Sequence, residues 1–466
     1  MIHNLKPYPA YKDSGVQWLG EVPEHWEVKR LKAAVAQIND QTSEKKPGEV
    51  YVALEHVESW TGRVRLSTNN ITFDSQVKRF HRDDVLFGKL RPYLAKVARL
   101  STQGVCVGEF LVLRLRSSDI LSPFLENLLR SKSIIDVINS STFGAKMPRA
   151  DWGFIGNLLL CFPPRSEQSA IVHYLDYIDR RIRRYIHAKQ KLIKLLEEQK
   201  QAIIHQAVIH GLDPNVKLKP SGVEWLGDIP EHWEVRRNGQ LFVQRNQTGF
   251  AELPILEVSL KTGIRVRDFE NTNRKQVMSD REKYKRAVKG DIAYNMMRMW
   301  QGAVGVAPVD GLVSPAYVVA KPLEGVDPRY YSNLFRTSVY MNEVDRCSRG
   351  IVKDRNRLYW EDFKQIHSPC PSPEEQIQIA NAIYENTQAV NHTIEQVMQE
   401  ISLLREYRTR LIADVVTGKL DVREAAKNLP EEVEETETFD DSVAEDELEN
   451  DEMGDQAGYL EEEVLA

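Results

Sequence analysis

The chain has 466 residues, too many for one hydrophobic core, and 42% of them are hydrophobic, an ordinary share for a globular protein of two to four domains. No run approaches the ~20 apolar residues of a membrane helix, and the N-terminal MIHNLKPYPAYKDSG has no apolar centre of a secretion signal, so a cytoplasmic chain is expected. The four cysteines, Cys106, Cys161, Cys347 and Cys370, include no CxxC pair, which argues against a zinc site or a disulfide framework.

The net charge of −6 conceals a split, because residues 431–466 hold 17 Asp or Glu and no Lys or Arg. The remaining body has 62 basic against 51 acidic residues, a net +11 that suits a polyanionic partner such as nucleic acid.

In chain order, the first feature is a segment that occurs twice. SGVQWLGEVPEHWEVKR at 14–30 returns as SGVEWLGDIPEHWEVRR at 221–237, with 13 of 17 positions identical and an offset of 207. The chain therefore reads as one unit in tandem. Gly and Pro in GEVPEHW predict a turn, with Trp18, Trp26, Trp225 and Trp233 as packing anchors. Val50–Leu54 and the run from Val105 to Leu115 predict strands, and Ile120–Ile138 predicts a helix capped at Ser122. Residues 31–160 thus form an α+β domain of ~130 residues.

Residues 238–368 repeat this layout at lower identity. Asp84–Arg91 (DVLFGKLR) aligns with Asp291–Arg298 (DIAYNMMR), Gly104 with Gly311 and Phe110 with Tyr317. Arg149 and Trp152 align with Arg357 and Trp360 at an offset of 208, and Thr61-Gly62 with Thr262-Gly263 at 201.

Each domain is followed by a helical stretch opened by matching signals, PPRSEQ at 163–168 and PSPEEQ at 371–376. Ile171, Leu175, Ile178, Ile182, Tyr185, Leu192, Leu196 and Ile203 predict one narrow apolar seam. Ile379, Ile383, Asn386, Val390, Val397, Ile401, Leu404, Leu411 and Val415 predict a second. Helices of ~40 residues span ~60 Å and need a partner for such seams. Antiparallel pairing is expected, since it buries both seams and keeps the bulky domains apart. Such a rod would serve as a ruler for a split DNA site. Gly211 and Gly418 predict the helix ends.

The doubled SGVxWLGxxPEHWEV segment, the paired D-V/I-x-F/Y-x-x-x-R segments, the P-x-x-x-EQ helix openings and the two long helices together resemble the specificity subunit of type I restriction–modification systems. The resemblance covers about residues 7–425. It implies two target-recognition domains, each reading half of a bipartite DNA site, and a coiled coil that spaces them and docks methyltransferase subunits, which recruit restriction subunits. The expected layout is a first recognition domain at 1–165, a spacer helix at 166–213, a linker and second recognition domain at 214–372, a second spacer helix at 373–425 and, from its acidic composition, a disordered tail at 426–466. The tail lies outside the family pattern.

Sequence-specific binding needs phosphate clamps and side chains on base edges. The candidates are Lys89, Arg91, Lys146 and Arg149 in the first domain, and Arg298, Lys353, Arg355 and Arg357 in the second. Met296 in place of Lys89 suggests that the two loops read differently, hence an asymmetric site. No phosphate-binding loop, dinucleotide fingerprint, metal-spaced cluster or methyltransferase motif occurs. His25 with Glu24 and His232 with Glu231 read as turn residues bonding locally rather than as acid–base pairs. Catalysis, with S-adenosylmethionine, ATP and Mg²⁺, is therefore expected on partner subunits. The rival readings are a standalone DNA-cleaving or DNA-modifying enzyme and a coiled-coil scaffold that reads no bases.

Overall fold

A computed structural model describes residues 5–66, 76–144, 146–260, 263–267, 281–350 and 356–430. Residues 431–466 of the expected acidic tail, and the candidates Lys353 and Arg355, lie outside the described residues. No described helix is long and apolar enough to cross a membrane. The chain divides into two compact units: residues up to Ala188 with the described residues from Gln399 on, and Lys189–Met398.

In the first unit a four-stranded antiparallel sheet runs in the order Val35–Ile38, Phe110–Leu115, Val85–Gly88, Val97–Arg99. Successive side chains in a strand face opposite ways. Val85, Phe87, Leu111 and Leu113 enter a core shared with the helices. Leu86, Phe110 and Val112 enter a smaller core with Val52, Phe80 and Cys106. Both faces are covered, so these strands read as unbroken apolar runs rather than as an alternation.

The run Val105–Leu115 is not one strand. The turn at Gly108-Glu109 splits it into Gly104–Val107, which pairs with Val77–Phe80, and Phe110–Leu115 in the central sheet. The expected helix Ile120–Ile138 is also divided, into Ser122–Arg130 and Lys132–Ser140, where the Ser131 hydroxyl donates to the Leu128 carbonyl at 2.7 Å. Ser122 is buried in the first turn and caps nothing; the N-cap is Leu121.

The second unit repeats the sheet with Phe242–Arg245, Tyr317–Pro322, Ile292–Asn295 and Val304–Val306, each starting 207 residues after its counterpart. Ile292, Tyr294 and Val318 face the helices, while Ala293, Tyr317 and Val319 face the smaller core. The Thr-Gly repeat also has a structural cause. Gly62 lies against Arg130, whose Nη1 would stand 2.0 Å from a Cβ there. Arg130 donates to the Val97 carbonyl at 3.4 Å, as Arg336 does to the Val304 carbonyl at 3.2 Å.

The long helices are Arg165–His210 and Pro373–Val416. They pair antiparallel, as expected. In the first unit Ile171, Leu175 and Ile178 share a core with Leu411, Ile412 and Val415, and Asp179 pairs with Arg408. In the second unit Ile204 and Val208 meet Ile379 and Ile383. Three expected seam residues are displaced. Tyr185 is 53% and Leu192 41% exposed, because a helix of 3.6 residues per turn drifts off a strict heptad. The seam passes through the half-buried Ile186 and Ile193 instead. Asn386 is exposed, and Thr387 is buried in its place with its hydroxyl donating to the Ile383 carbonyl at 2.8 Å.

The repeated PEHW turn and the Glu-Gln at each helix opening form one joint. In the first unit the buried Trp26 donates through Nε1 to Glu167 Oε1 at 3.0 Å, His25 Nε2 lies 2.8 Å from Glu167 Oε2, and the Tyr8 hydroxyl also donates to Glu167. Gln168 donates to the Pro163 carbonyl at 2.9 Å and accepts from the Leu121 N–H at 2.8 Å. In the second unit Trp233 and His232 bind Glu375 at 2.9 and 3.1 Å. Gln376 there donates to the Pro371 carbonyl and accepts from the Asp327 N–H. The histidines thus bond to a carboxylate distant in sequence, not locally and not to Glu24 or Glu231. Each Trp also meets the end of a long helix. Gly418, at φ +80°, leaves no room for a Cβ, which would stand 2.4 Å from Pro23 and 3.2 Å from Trp26; Gly211, at φ +79°, lies against Trp233.

Candidate nucleic-acid interface

The central sheet of the first unit ends in a cluster of three chain segments. The Lys89 N–H donates to the Glu109 carbonyl, and the Lys89 carbonyl accepts from the Ala150 N–H, both at 2.9 Å. The Arg91 N–H reaches the Pro148 carbonyl at 2.8 Å, and Phe143 and Arg149 exchange backbone hydrogen bonds at 3.2 and 3.0 Å. Lys89, Arg91, Lys146 and Arg149 therefore share one loop cluster, although 60 positions separate the ends of that set.

Arg91 is exposed and held at φ 50°, in the left-handed region that a non-glycine residue enters at some cost. Lys146 is exposed and Lys89 half-buried, and none of the three makes a side-chain hydrogen bond or ion pair to another described residue. Arg149 differs. Its Nη2 lies 3.1 Å from Glu109 Oε1, and its Nε lies 3.3 Å from both carboxylate oxygens. That bond pushes the guanidinium pKa further up. Phe143, 75% exposed, and Met147, 51% exposed, flank the basic groups.

The second unit keeps the frame and changes the contents. The Met296 N–H donates to the Ala316 carbonyl at 3.2 Å, the Leu358 N–H to the Met296 carbonyl at 2.9 Å, and Arg349 and Arg357 exchange bonds at 3.0 Å. Arg298 and Arg357 are half-buried, with no side-chain partner among the described residues. Ala316 stands where Glu109 stands in the first unit, so Arg357 lacks the carboxylate that Arg149 has. Arg349 replaces Phe143 and pairs with Asp362. The structure thus brings Arg298 and Arg357 together.

One pair of residues escaped the sequence reading. Lys78 donates through Nζ to the carbonyls of Gly108 and Phe110 at 3.1 and 2.9 Å. Lys285, at the 207 offset, donates to those of Pro315 and Tyr317 at 2.8 and 2.7 Å. Burial lowers both ammonium pKa values. Each lysine pins the turn whose middle residue, Glu109 or Ala316, receives the first loop. The signal was present as a lysine recurring within otherwise divergent sequence. Among the described residues no group of three or more His, Cys, Asp or Glu is arranged to hold a metal.

No family model matches the chain. It is 25% identical over 184 residues to the type I restriction enzyme EcoDI specificity subunit of Escherichia coli, spanning 37% of this chain and 39% of that subunit. It is 21% identical over 304 residues to the MjaVIII specificity subunit of Methanocaldococcus jannaschii, spanning 61% of this chain and 68% of that one. A solved structure from work on complex assembly and conformational transition of the type I R-M system shares the fold. Its TM-score is 0.63 at 18% identity, over 86% of this chain and 99% of that one. The resemblance read from the motifs is borne out.

Proposed function

Starting from kinship with type I specificity subunits, we propose that this chain is the non-catalytic DNA-recognition subunit of a type I restriction–modification complex. Each unit reads one half of a bipartite site. The long helices act as spacer and as docking surface for methyltransferase subunits. S-adenosylmethionine, ATP and Mg²⁺ belong to the partner subunits. Exposed apolar side chains on these helices support docking: Leu195, Ile377 and Tyr384 in the second unit, Tyr185 and Leu403 in the first.

The observation that carries the reading is the doubled cluster. The same backbone frame presents arginines in both units, while the residues around them differ, Glu109 against Ala316 and Phe143 against Arg349. Arginine forks on loops tied by backbone bonds to the end of a sheet suit both phosphate and base edges. Dissimilar surroundings suit an asymmetric site.

Selection of tight binders from a pool of random duplexes, at fixed salt, tests this. The expected product is one motif of two different short half-sites at a constant gap. Recovery of no preferred sequence would leave only a scaffold. Cleavage or methyl transfer by the purified chain with Mg²⁺ and S-adenosylmethionine would make it an enzyme.

A further inference from the structure

Arg149 is a cation placed unlike its neighbours. Glu109 occupies the Nε and Nη2 edge of its guanidinium, and the outer end of the fork bonds to no described residue. The side chain is half exposed. A carboxylate at this place is poor design for a phosphate clamp, since it cancels the positive charge and repels phosphate. It suits an arginine that must hold one orientation, because the rotamer freedom is given up before binding. An oriented end-on fork demands two adjacent acceptors. In the major groove only guanine offers them, at O6 and N7, while adenine pairs an acceptor with a donor and cytosine presents a donor.

Glu109 is itself held. Its carbonyl receives the Lys89 N–H, and Lys78 fixes the carbonyls on either side of it. The second unit keeps the pin, Lys285, but has Ala316, so Arg357 carries an uncancelled charge.

We propose that Arg149 is the guanine-reading residue of the first unit, its fork aimed by Glu109 at the O6/N7 edge, with Lys78 as a positioning residue beneath that carboxylate. This rests on the DNA-recognition reading above. It names which arginine reads a base, and which base.

The test uses the full chain and its selected duplex, with each guanine of the site replaced in turn by 7-deazaguanine, which lacks the N7 acceptor. One position is expected to weaken wild-type binding about tenfold and to leave Arg149→Ala binding unaffected. The salt slope of the double variant Arg149→Ala/Glu109→Gln should match wild type, because the pair is removed with no change in net charge and a neutralised arginine releases no counterion. A phosphate clamp would lower the slope by about 0.9. Lys78→Met should lose the same guanine dependence while still folding cooperatively, its melting temperature lowered by the several degrees that the two carbonyls left without a donor cost. A lowered slope with no 7-deazaguanine position tied to Arg149 would overturn the proposal. Retained guanine dependence in Lys78→Met would overturn the positioning role. A wild-type chain with no preferred sequence would remove the recognition reading itself, and is distinguishable from both.

Discussion

Replacing Glu167 with Ala tests the joint that ties the repeated turn to the first long helix. Glu167 is 5% exposed and accepts from two buried donors, the Trp26 Nε1–H and the Tyr8 hydroxyl, besides the half-exposed His25. Each buried donor left unpaired costs about 1–3 kcal/mol, and a histidine that reaches water adds little. The loss is therefore roughly 4 kcal/mol. Among the described residues Glu375 accepts from one buried donor, Trp233, and its histidine is 56% exposed. Glu375→Ala should cost roughly 2 kcal/mol. For units of this size, 1 kcal/mol corresponds to about 2–4 °C, so the shifts are about 8–16 °C and about 4–8 °C. Calorimetric scans of the full chain measure both. Glu167→Gln keeps one acceptor oxygen and should fall between wild type and Glu167→Ala. Equal losses for the two alanine variants would refute the difference in buried donors, and losses below about 0.5 kcal/mol in both would show that neither carboxylate holds its joint.

Other outcomes follow from the same geometry. Burial pushes the Cys106 and Cys161 thiols from 9.0 up to about 12, so the folded chain keeps protons that the unfolded chain loses. The stability this gives is complete below pH 9.0 and is lost as the pH rises toward about 12. Denaturant titrations of Cys106→Ala and Cys161→Ala should show a flatter decline there, and an unchanged slope would contradict the buried thiols. Inserting seven residues into each long helix, after Ala188 and before Gln399, adds about 10 Å of helix. The gap in the selected motif should lengthen by about three base pairs, and an unchanged gap would remove the spacer role.

The parts legible in the sequence were those written twice. The PEHW segments, the Glu-Gln openings and the matched DVLFGKLR and DIAYNMMR stretches disclosed the doubled unit, because each performs the same packing task in both copies. Seam phase was less legible. Tyr185, Leu192 and Asn386 fit a strict heptad, but a long helix drifts, and Ile186, Ile193 and Thr387 take those places. The broken helix at Ser131 carried no proline or glycine to mark it. At the candidate interface the arginines were visible, yet Glu109 was not, since it lies 40 positions from Arg149 and only the fold brings the two together. Lys78 and Lys285 were hidden for another reason: a lysine at a strand end reads as solvent-exposed, and only the carbonyls around it show otherwise.

The most direct test of a doubled reader is to make its halves equal. In a chain whose residues 238–368 are exchanged for a second copy of 31–160, antiparallel helices should present two identical readers in opposite senses. Duplex selection should then yield a palindrome built from the first half-site alone. Recovery of the original asymmetric motif, or of no motif from a folded chain, would contradict the account.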